Sequence, residues 1–167
     1  MRLQPDRISV NRLPIAILDN VRSAHNVGAI FRTADCAGLE RIDLCGMTSR
    51  PPNPKLAKTA LGAESVVPWR CFEYATEAVI EARLEGRAIV AIETAEEARS
   101  LYECEIPNRS ALVMGHEVFG VSPEVLALAD TSVRIPMLGA KSSLNVATTF
   151  GVVAYELLRR SGSKEGR

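Results

Sequence analysis

The sequence is poor in the residues that build metal centres and disulfide frameworks. It has four cysteines, none in a C-x-x-C pair, and only two histidines. Zinc sites and disulfide-stapled folds need such residues in closely spaced groups. We therefore expect no metal site and four reduced cysteines that mostly fill the core: Cys36, Cys45, Cys71 and Cys104.

Long apolar runs are also missing. No uninterrupted stretch approaches the about 20 residues of a membrane helix, and the opening residues, MRLQPDRISVNR, lack the apolar core of a secretory signal. We expect a cytoplasmic protein with no membrane partner. The length of 167 residues fits a single domain, 1–167, with a short N-terminal extension at about 1–13 and a frayed tail at about 161–167.

An excess of one charge is absent, because 20 basic residues balance 20 acidic ones. The distribution is uneven, since residues 73–105 carry nine acidic and three basic side chains and the remainder of the chain is correspondingly basic. This pattern permits a basic face opposite an acidic one. Taken alone, it favours two ordinary solvated surfaces over a nucleic-acid interface.

Short β-branched apolar runs alternate with longer segments of helical period. The predicted strands are 15–18, 42–44, 66–69, 88–92, 111–114 and 132–135. The predicted helices are 27–37, 55–61, 75–84, 123–128 and 144–160. Such alternation predicts an α/β fold with a mostly parallel sheet and helices on both faces.

The segment 19–38, DNVRSAHNVGAIFRTADCAG, follows a predicted strand and begins a helix. Ligands bind at such positions in α/β folds because free backbone N–H groups point outward there. Asn26 and Arg32 are nearly two helical turns apart, so we expect both on one side. From the residues alone, a ligand site and a capped amphipathic helix, with Asn26 as the cap and Arg32 solvated, are equally good interpretations.

Two further segments place polar groups after predicted strands. In 111–124, ALVMGHEVFGVSPE, a turn bracketed by glycines holds Glu117, although the pattern alone favours a plain turn. In 134–156, RIPMLGAKSSLNVATTFGVVAYE, Ser143 is predicted to cap the last helix, and Asn145 to hydrogen-bond back into the loop. That helix is apolar on most faces, which predicts burial within the chain or against a partner subunit.

Together these segments resemble the three motifs of the SpoU/TrmH-like branch of the SPOUT RNA methyltransferases. The first motif is N-x-R-x-x-x-N-x-G-x-x-x-R-x-A from Asn20, and the second is M-G-x-E-x-x-G from Met114. The third is I-P-M-x-G-x-x-x-S-L-N-V from Ile135. They occur in the family's order and near its spacing, and they cover most of the chain. Ala147 departs from the serine that many relatives carry after S-L-N-V.

The resemblance implies a C-terminal deep trefoil knot, a rare exception to the rule that chains do not thread. It also implies that backbone groups of three loops hold S-adenosylmethionine. The implied cofactor-binding residues are Glu93, Thr94, Ala95, Gly115, Ile135, Met137, Ser143 and Leu144.

The implied reaction is methyl transfer to a ribose 2'-hydroxyl of RNA, with Arg32 as the catalytic arginine. A guanidinium rarely gives up its proton, so we expect Arg32 to hold the adjacent phosphate and to stabilise developing negative charge. Asn26, Glu117, Ser143 and Asn145 would position Arg32 and the ribose.

Family members are homodimers, which implies an interface that includes the last helix through Val152, Val153, Tyr155 and Leu158. The RNA substrate, tRNA in preference to rRNA, is expected to contact basic side chains of the domain itself. These are Arg22, His25, Arg50, Lys55, Lys58 and Lys141, together with Arg2, Arg7 and Arg12.

Three other functions compete with this interpretation. A dinucleotide-dependent oxidoreductase is disfavoured because no G-x-G-x-x-G follows the first strand. A non-catalytic RNA-binding factor of the same fold is disfavoured by the presence of Arg32 and Asn145. A base methyltransferase of another SPOUT branch is disfavoured by Asn26 and Arg32.

Overall fold

The computed structural model of the protein describes residues 14–162. The predicted N-terminal extension, the tail beyond residue 162 and the RNA contacts of Arg2, Arg7 and Arg12 lie outside the described residues. Residues 161 and 162, which the prediction assigns to the tail, belong to the last helix.

Seven strands in the described residues form one sheet. They are β1 (Ile15–Asp19), β2 (Ile42–Cys45), β3 (Trp69–Phe72), β4 (Ala88–Ile92), β5 (Arg99–Ser100), β6 (Ser110–Met114) and β7 (Thr131–Arg134). Every strand pair is parallel, and the order is β3-β2-β1-β6-β4-β7-β5. The central strands β1 and β6 are buried along their whole length, as expected for a sheet covered on both faces.

Helices cover both faces of the sheet, which confirms the predicted α/β architecture. The helices are α1 (Ala24–Ala37), α2 (Pro54–Ala60), α3 (Ala75–Leu84), α4 (Pro123–Leu126) and α5 (Val146–Gly162). The even-numbered side chains of β1 pack in one core with α1, α2 and α5, and its odd-numbered side chains pack in a second core with α3 and α4.

The largest error in the predicted elements lies at the third strand. The strand runs from Trp69 to Phe72 instead of 66–69, and a 3-10 turn, Ala63–Ser65, precedes it. Pro68 has no N–H for a ladder, and its carbonyl instead accepts the Ile42 N–H just before the strand begins. The two-residue β5 was not predicted because so short a strand leaves no pattern in the sequence.

The four cysteines form no disulfide bonds, but only two of them are buried. Cys45 and Cys104 are buried, as expected, whereas Cys36 and Cys71 are exposed. The core-filling prediction is therefore wrong for two of the four, since Cys36 lies on the outer side of α1 and Cys71 on the edge strand β3. Within residues 14–162, no group of three or more potential ligand side chains is placed to bind a metal. No helix in that range is long and apolar enough to span a membrane.

Because all strands are parallel, their carboxyl ends meet at one edge of the sheet. The residues that follow β1, β4, β6 and β7 at this edge are Asn20, Glu93, Gly115 and Ile135. Three of the four belong to the motifs quoted above, and Glu93 is a predicted cofactor residue. The fold therefore gathers the three motifs at the edge where α/β proteins bind ligands.

Candidate active site

A cavity of about 380 Å³ opens beyond the carboxyl ends of β4, β6 and β7. Three loops form its walls, one after each strand. Seven of the eight predicted cofactor residues line it: Glu93, Thr94, Gly115, Ile135, Met137, Ser143 and Leu144. Ala95 does not line the cavity, because its carbonyl accepts the Ala98 N–H in a turn that leads toward β5.

The second motif forms a compact loop because its glycines allow close backbone approach. Two hydrogen bonds of 2.9 Å join His116 and Gly120 in both directions and close the loop. Gly120 has a φ of 72°, in the left-handed region, and a Cβ there would lie 2.6 Å from a Glu93 carboxylate oxygen. A Cβ on Gly115 would overlap the backbone of Gly120 and Val121.

Replacing Gly115 with alanine is therefore expected to open this loop. The backbone overlap should lower the free energy of unfolding by about 1–3 kcal/mol and abolish the S-adenosylmethionine binding that the sequence resemblance implies. Gly139→Ala is the matched control, because a Cβ on Gly139, which lines a smaller cavity adjoining the first, meets nothing within 4 Å. Thermal unfolding and calorimetry with S-adenosylmethionine measure both effects; equal behaviour of the two variants would contradict the packing argument.

Glu117 joins the second motif to the first. One of its carboxylate oxygens accepts the Ser23 N–H at 2.9 Å and the Asn26 side-chain amide at 3.0 Å. The other oxygen accepts the Arg22 N–H at 3.0 Å. Burial acts to raise the pKa of Glu117, but these hydrogen bonds outweigh burial and hold the pKa below its ordinary value. They therefore stabilise the fold above the unfolded-state pKa of the carboxyl, and the contribution is lost as pH falls through the folded-state pKa.

Asn145 joins the third motif to the first. Its side-chain nitrogen donates to the Asn26 side-chain oxygen at 3.1 Å, across 119 positions of sequence. Its own oxygen accepts the N–H groups of Ala147 and Thr148 at 2.9 and 3.3 Å, which caps α5. Glu117, Asn26 and Asn145 thus form one hydrogen-bonded chain across the three motifs, which we call the motif network.

Both helix caps differ from those expected. α5 begins at Val146, so the residue directly before it, Asn145, has the capping position, and the prediction of Ser143 as cap is wrong. α1 is capped by Ser23, whose hydroxyl accepts the Asn26 N–H at 3.3 Å. Asn26 therefore lies inside the helix, and its side chain reaches Glu117 and Asn145.

Arg32 lies apart from the motif network. Its side chain is exposed, and it makes no hydrogen bond or ion pair with the residues that the structure describes. Arg32 lines neither the first cavity nor a second cavity that adjoins it. Six residues turn an α-helix by about 600°, which leaves Arg32 about 120° from Asn26 around the axis. The expectation that both side chains face one side is therefore not met.

A second cavity, of about 600 Å³, adjoins the first and shares His116, Glu117 and Val118 with it. Three of the predicted RNA contacts line it: Arg22, His25 and Lys55. Arg50 and Lys58 are exposed outside it. Lys141 lines a smaller cavity of about 280 Å³, which shares Thr94 and Met137 with the first cavity. Of the predicted basic residues that the structure describes, only three share one cavity.

Close packing of α1 against α2 shapes this second cavity. Gly28 is buried, and a Cβ there would overlap the Leu56 carbonyl and the Thr59 hydroxyl. The Thr59 hydroxyl donates to the His25 carbonyl at 2.9 Å across the same contact. The motif glycine thus brings Lys55, at the start of α2, beside His25.

His116 and Asn53 are among the polar lining residues of these cavities that were not predicted as site residues. His116 stands between Gly115 and Glu117 within the second motif, and this position was the signal that could have found it. Asn53 caps α2 by accepting the Lys55 N–H at 2.9 Å, and it also lines the second cavity. The only signal for Asn53 was its place before Pro54, a common first residue of helices.

Known proteins are similar to this chain in sequence and in fold. The SpoU rRNA Methylase family model matches residues 14–155. The tRNA (guanosine(18)-2'-O)-methyltransferase of Escherichia coli K12 is 32% identical over 86% of this chain and 62% of its own length. The 23S rRNA (guanosine-2'-O-)-methyltransferase RlmB of Salmonella typhi is 35% identical over 93% of this chain and 64% of its own length.

A solved structure resembles the whole arrangement. The SpoU methyltransferase AviRb from Streptomyces viridochromogenes, in complex with AdoMet, has a TM-score of 0.82 and 26% identity. The match covers 98% of this chain and 64% of that one. The chain thus spans about three-fifths of the length of these three relatives. Because the family model extends over all three motifs, the chain belongs to the SpoU rRNA Methylase family.

Proposed function

We propose that the protein is an RNA (ribose-2'-O)-methyltransferase that uses S-adenosylmethionine and acts on tRNA or rRNA in the cytoplasm. The motif network carries this proposal, because it fixes polar groups of all three motifs at the border of a ligand-sized cavity. The names of the two relatives, one a tRNA and one a rRNA guanosine-2'-O-methyltransferase, support the same chemistry.

The first cavity fits the cofactor. Its volume of about 380 Å³ is that of a small-molecule site. Apolar side chains suited to an adenine ring line it, and they are Ile92, Met114, Ile135, Met137 and Leu144. Backbone groups after three strands supply hydrogen-bond partners in the same walls. When bound, S-adenosylmethionine supplies a methyl group on a positively charged sulfur.

The motif network leaves two fixed donors for the substrate. Each side-chain amide nitrogen carries two hydrogens, and Asn26 uses one on Glu117 while Asn145 uses one on Asn26. The second hydrogen of each remains for an oxygen of the ribose. Donors held in place before the reaction stabilise negative charge as it forms on the 2'-oxygen. Glu117, whose pKa is lowered, is a weak base, and we assign it the positioning of Asn26.

Replacing Asn145 with aspartate separates this role from helix capping. The aspartate side chain keeps an oxygen for the Ala147 and Thr148 N–H groups but cannot donate to Asn26 or to the ribose. We expect the cap to remain, the lost hydrogen bond to Asn26 to lower the free energy of unfolding by about 0.5–1 kcal/mol, and the methyl-transfer rate to fall about 10²-fold. Asn145→Ala should also lower the free energy of unfolding by about 1 kcal/mol through loss of the cap. Thermal unfolding and transfer of labelled methyl groups measure the two effects; an active Asn145→Asp enzyme would exclude the donor role.

We infer a homodimer in which Arg32 of one chain reaches the cavity of the other. Arg32 lies on the outer side of α1, and α5, which packs beside α1, presents Tyr155, Val152 and Leu158 at its exposed or half-exposed positions. Val153, the fourth predicted interface residue, is fully buried in the chain's own core. The exposed α1 and α5 surface is therefore the face that we assign to the partner.

We also infer the C-terminal trefoil knot. Its support is the position of α5 relative to the segment between β4 and β6. The Arg160 guanidinium donates to the Leu101 and Cys104 carbonyls of that segment. Leu101 in turn donates its N–H to the Arg134 carbonyl at the end of β7. These bonds tie the last helix to the loop through which the chain would pass.

Mapping ribose methylation across total RNA from cells with and without the gene tests the function. We expect one site in tRNA or rRNA to lose its methyl group and the purified protein to restore it. Calorimetry provides the second arm, with heat expected from S-adenosylmethionine and none from NAD. RNA binding without cofactor heat would favour the non-catalytic alternative, and an unchanged methylation map would contradict the proposal.

A further inference from the structure

His116 lies where the two cavities meet. Its half-buried side chain lines both the cofactor-sized cavity and the neighbouring cavity that holds Arg22, His25 and Lys55. A group at this border is within reach of whatever passes between the two cavities. In the proposed function, that is the nucleotide whose ribose is methylated.

A hydrogen bond within the loop determines which ring nitrogen carries the proton. The Val118 N–H donates to His116 Nδ1 at 3.0 Å. A nitrogen that accepts a hydrogen bond carries no hydrogen, so the neutral imidazole holds its proton on Nε2. The Phe119 ring packs against the imidazole with the ring centres 4.8 Å apart, which further fixes the ring plane. His116 is thus a preorganised N–H donor.

The Nε2–H group has no hydrogen-bond partner between residues 14 and 162. The nearest carboxylate along the chain, that of Glu117, already accepts the Arg22 and Ser23 N–H groups and the Asn26 amide. The Nε2–H group is therefore available to a ligand that enters either cavity. The three basic side chains of the second cavity attract phosphate groups, which indicates the sugar–phosphate backbone of RNA.

We propose that His116 Nε2–H donates a hydrogen bond to a ribose or phosphate oxygen of the target nucleotide and holds that nucleotide at the mouth of the cofactor cavity. This assignment rests on the proposed function. It makes His116 an RNA contact through a neutral donor, distinct from the ionic contacts of Arg22 and Lys55. The cofactor is not its partner.

Two amide substitutions separate the two ring nitrogens. In His116→Asn, the side-chain oxygen can take the place of Nδ1 and accept the Val118 N–H, but the distal donor is lost. In His116→Gln, the side-chain nitrogen can take the place of Nε2, but the acceptor for Val118 is lost. If the Nε2–H group binds RNA, the glutamine variant should keep its affinity for RNA and the asparagine variant should lose part of it.

The test uses the full-length protein with total tRNA, and in a second arm 23S rRNA, purified from cells that lack the gene. For His116→Asn we expect the KM for RNA to rise about 3- to 10-fold, as for loss of one neutral hydrogen bond. His116→Gln should stay within about twofold of the wild type. The affinity of both variants for S-adenosylmethionine, measured by calorimetry, should not change.

Salt dependence distinguishes a neutral donor from a charged one. The steepness with which log affinity for RNA falls against log salt concentration reflects the number of phosphate contacts. Lys55→Met should reduce this steepness by the amount that corresponds to about one phosphate contact. His116→Asn should leave it unchanged. A lower slope in His116→Asn would overturn the neutral-donor assignment.

Other outcomes also overturn the assignment. A wild-type KM in His116→Asn, equal losses in both variants, or weaker cofactor binding in His116→Asn would each do so while leaving the proposed function intact. If the wild-type protein neither bound nor methylated RNA, the proposed function would fail and this assignment with it.

Discussion

Replacing Arg32 with alanine is expected to lower the rate of methyl transfer about 10³-fold, since its guanidinium is proposed to stabilise the charge that forms at the ribose. The affinity for S-adenosylmethionine should not change, because Arg32 does not line the cofactor cavity. The stability of each chain should not change either, because the side chain is exposed and unbonded within the described part of the chain. Labelled methyl transfer, calorimetry and thermal unfolding measure the three quantities.

Arg32→Lys tests how the charge is used. A guanidinium can hold two phosphate oxygens at once in a planar fork, whereas an ammonium is a compact point charge. If the fork matters, the lysine variant should remain strongly impaired although its charge is unchanged. Near-normal activity would indicate a simple point charge, and loss of cofactor binding in Arg32→Ala would contradict the proposed role altogether.

Mixed dimers test whether Arg32 acts on its own chain or on its partner. One parent is Arg32→Ala, which keeps the cavity, and the other is Asn145→Asp, which keeps Arg32. If each site combines the cavity of one chain with Arg32 of the other, every mixed dimer holds one complete site. Random mixing of equal amounts should then restore about a quarter of wild-type activity. If Arg32 instead acts within its own chain, no activity should be recovered, because one chain lacks Arg32 and the other lacks Asn145.

The elements that were predictable from sequence are those with strong local signals. β1, β4 and β6 were placed within one residue because each is a short apolar run with abrupt polar or glycine boundaries. Gly38 ends α1 in the left-handed conformation, with a φ of 73°, as is common for a glycine directly after a helix. Seven of the eight predicted cofactor residues line one cavity because short motifs directly after parallel strands must meet at one edge.

Contacts between distant side chains were not predictable in the same way. The hydrogen bond between Asn26 and Asn145 spans 119 positions, and composition gives no sign of it. The choice of Asn145 over Ser143 as the cap depends on a helix start two residues later than predicted. Arg32 and Asn26 do not share a side of α1, because a separation of six residues falls about 120° short of two full turns.

A buried charge cluster at the opposite edge of the sheet was also invisible in the sequence. Asp43, near the start of β2, is fully buried and accepts hydrogen bonds from Arg41 and Arg70 at 3.0–3.3 Å. Arg41 also pairs with Glu85 at 2.8 Å. Asp43 and Arg70 are 27 positions apart and face each other because β2 and β3 are paired in register.

Asp43→Asn is expected to lower the free energy of unfolding by about 3 kcal/mol, because breaking a buried ion pair leaves its partners uncompensated and typically costs about 3–5 kcal/mol. The lower end applies because Arg41 keeps Glu85 and the Arg70 side chain is 37% exposed. Unfolding in urea, followed by circular dichroism, measures the change.

Glu81→Gln is the matched control for Asp43→Asn. Glu81 binds the same Arg70 guanidinium at 3.0 Å, but its side chain is 52% exposed, so its loss should cost less than about 1 kcal/mol. Equal effects of the two variants would contradict the importance of burial. Because the cluster lies at the amino ends of the strands and the motif network at their carboxyl ends, the folded fraction of Asp43→Asn should keep the wild-type KM for RNA. A changed KM would mean that the two edges of the sheet are coupled.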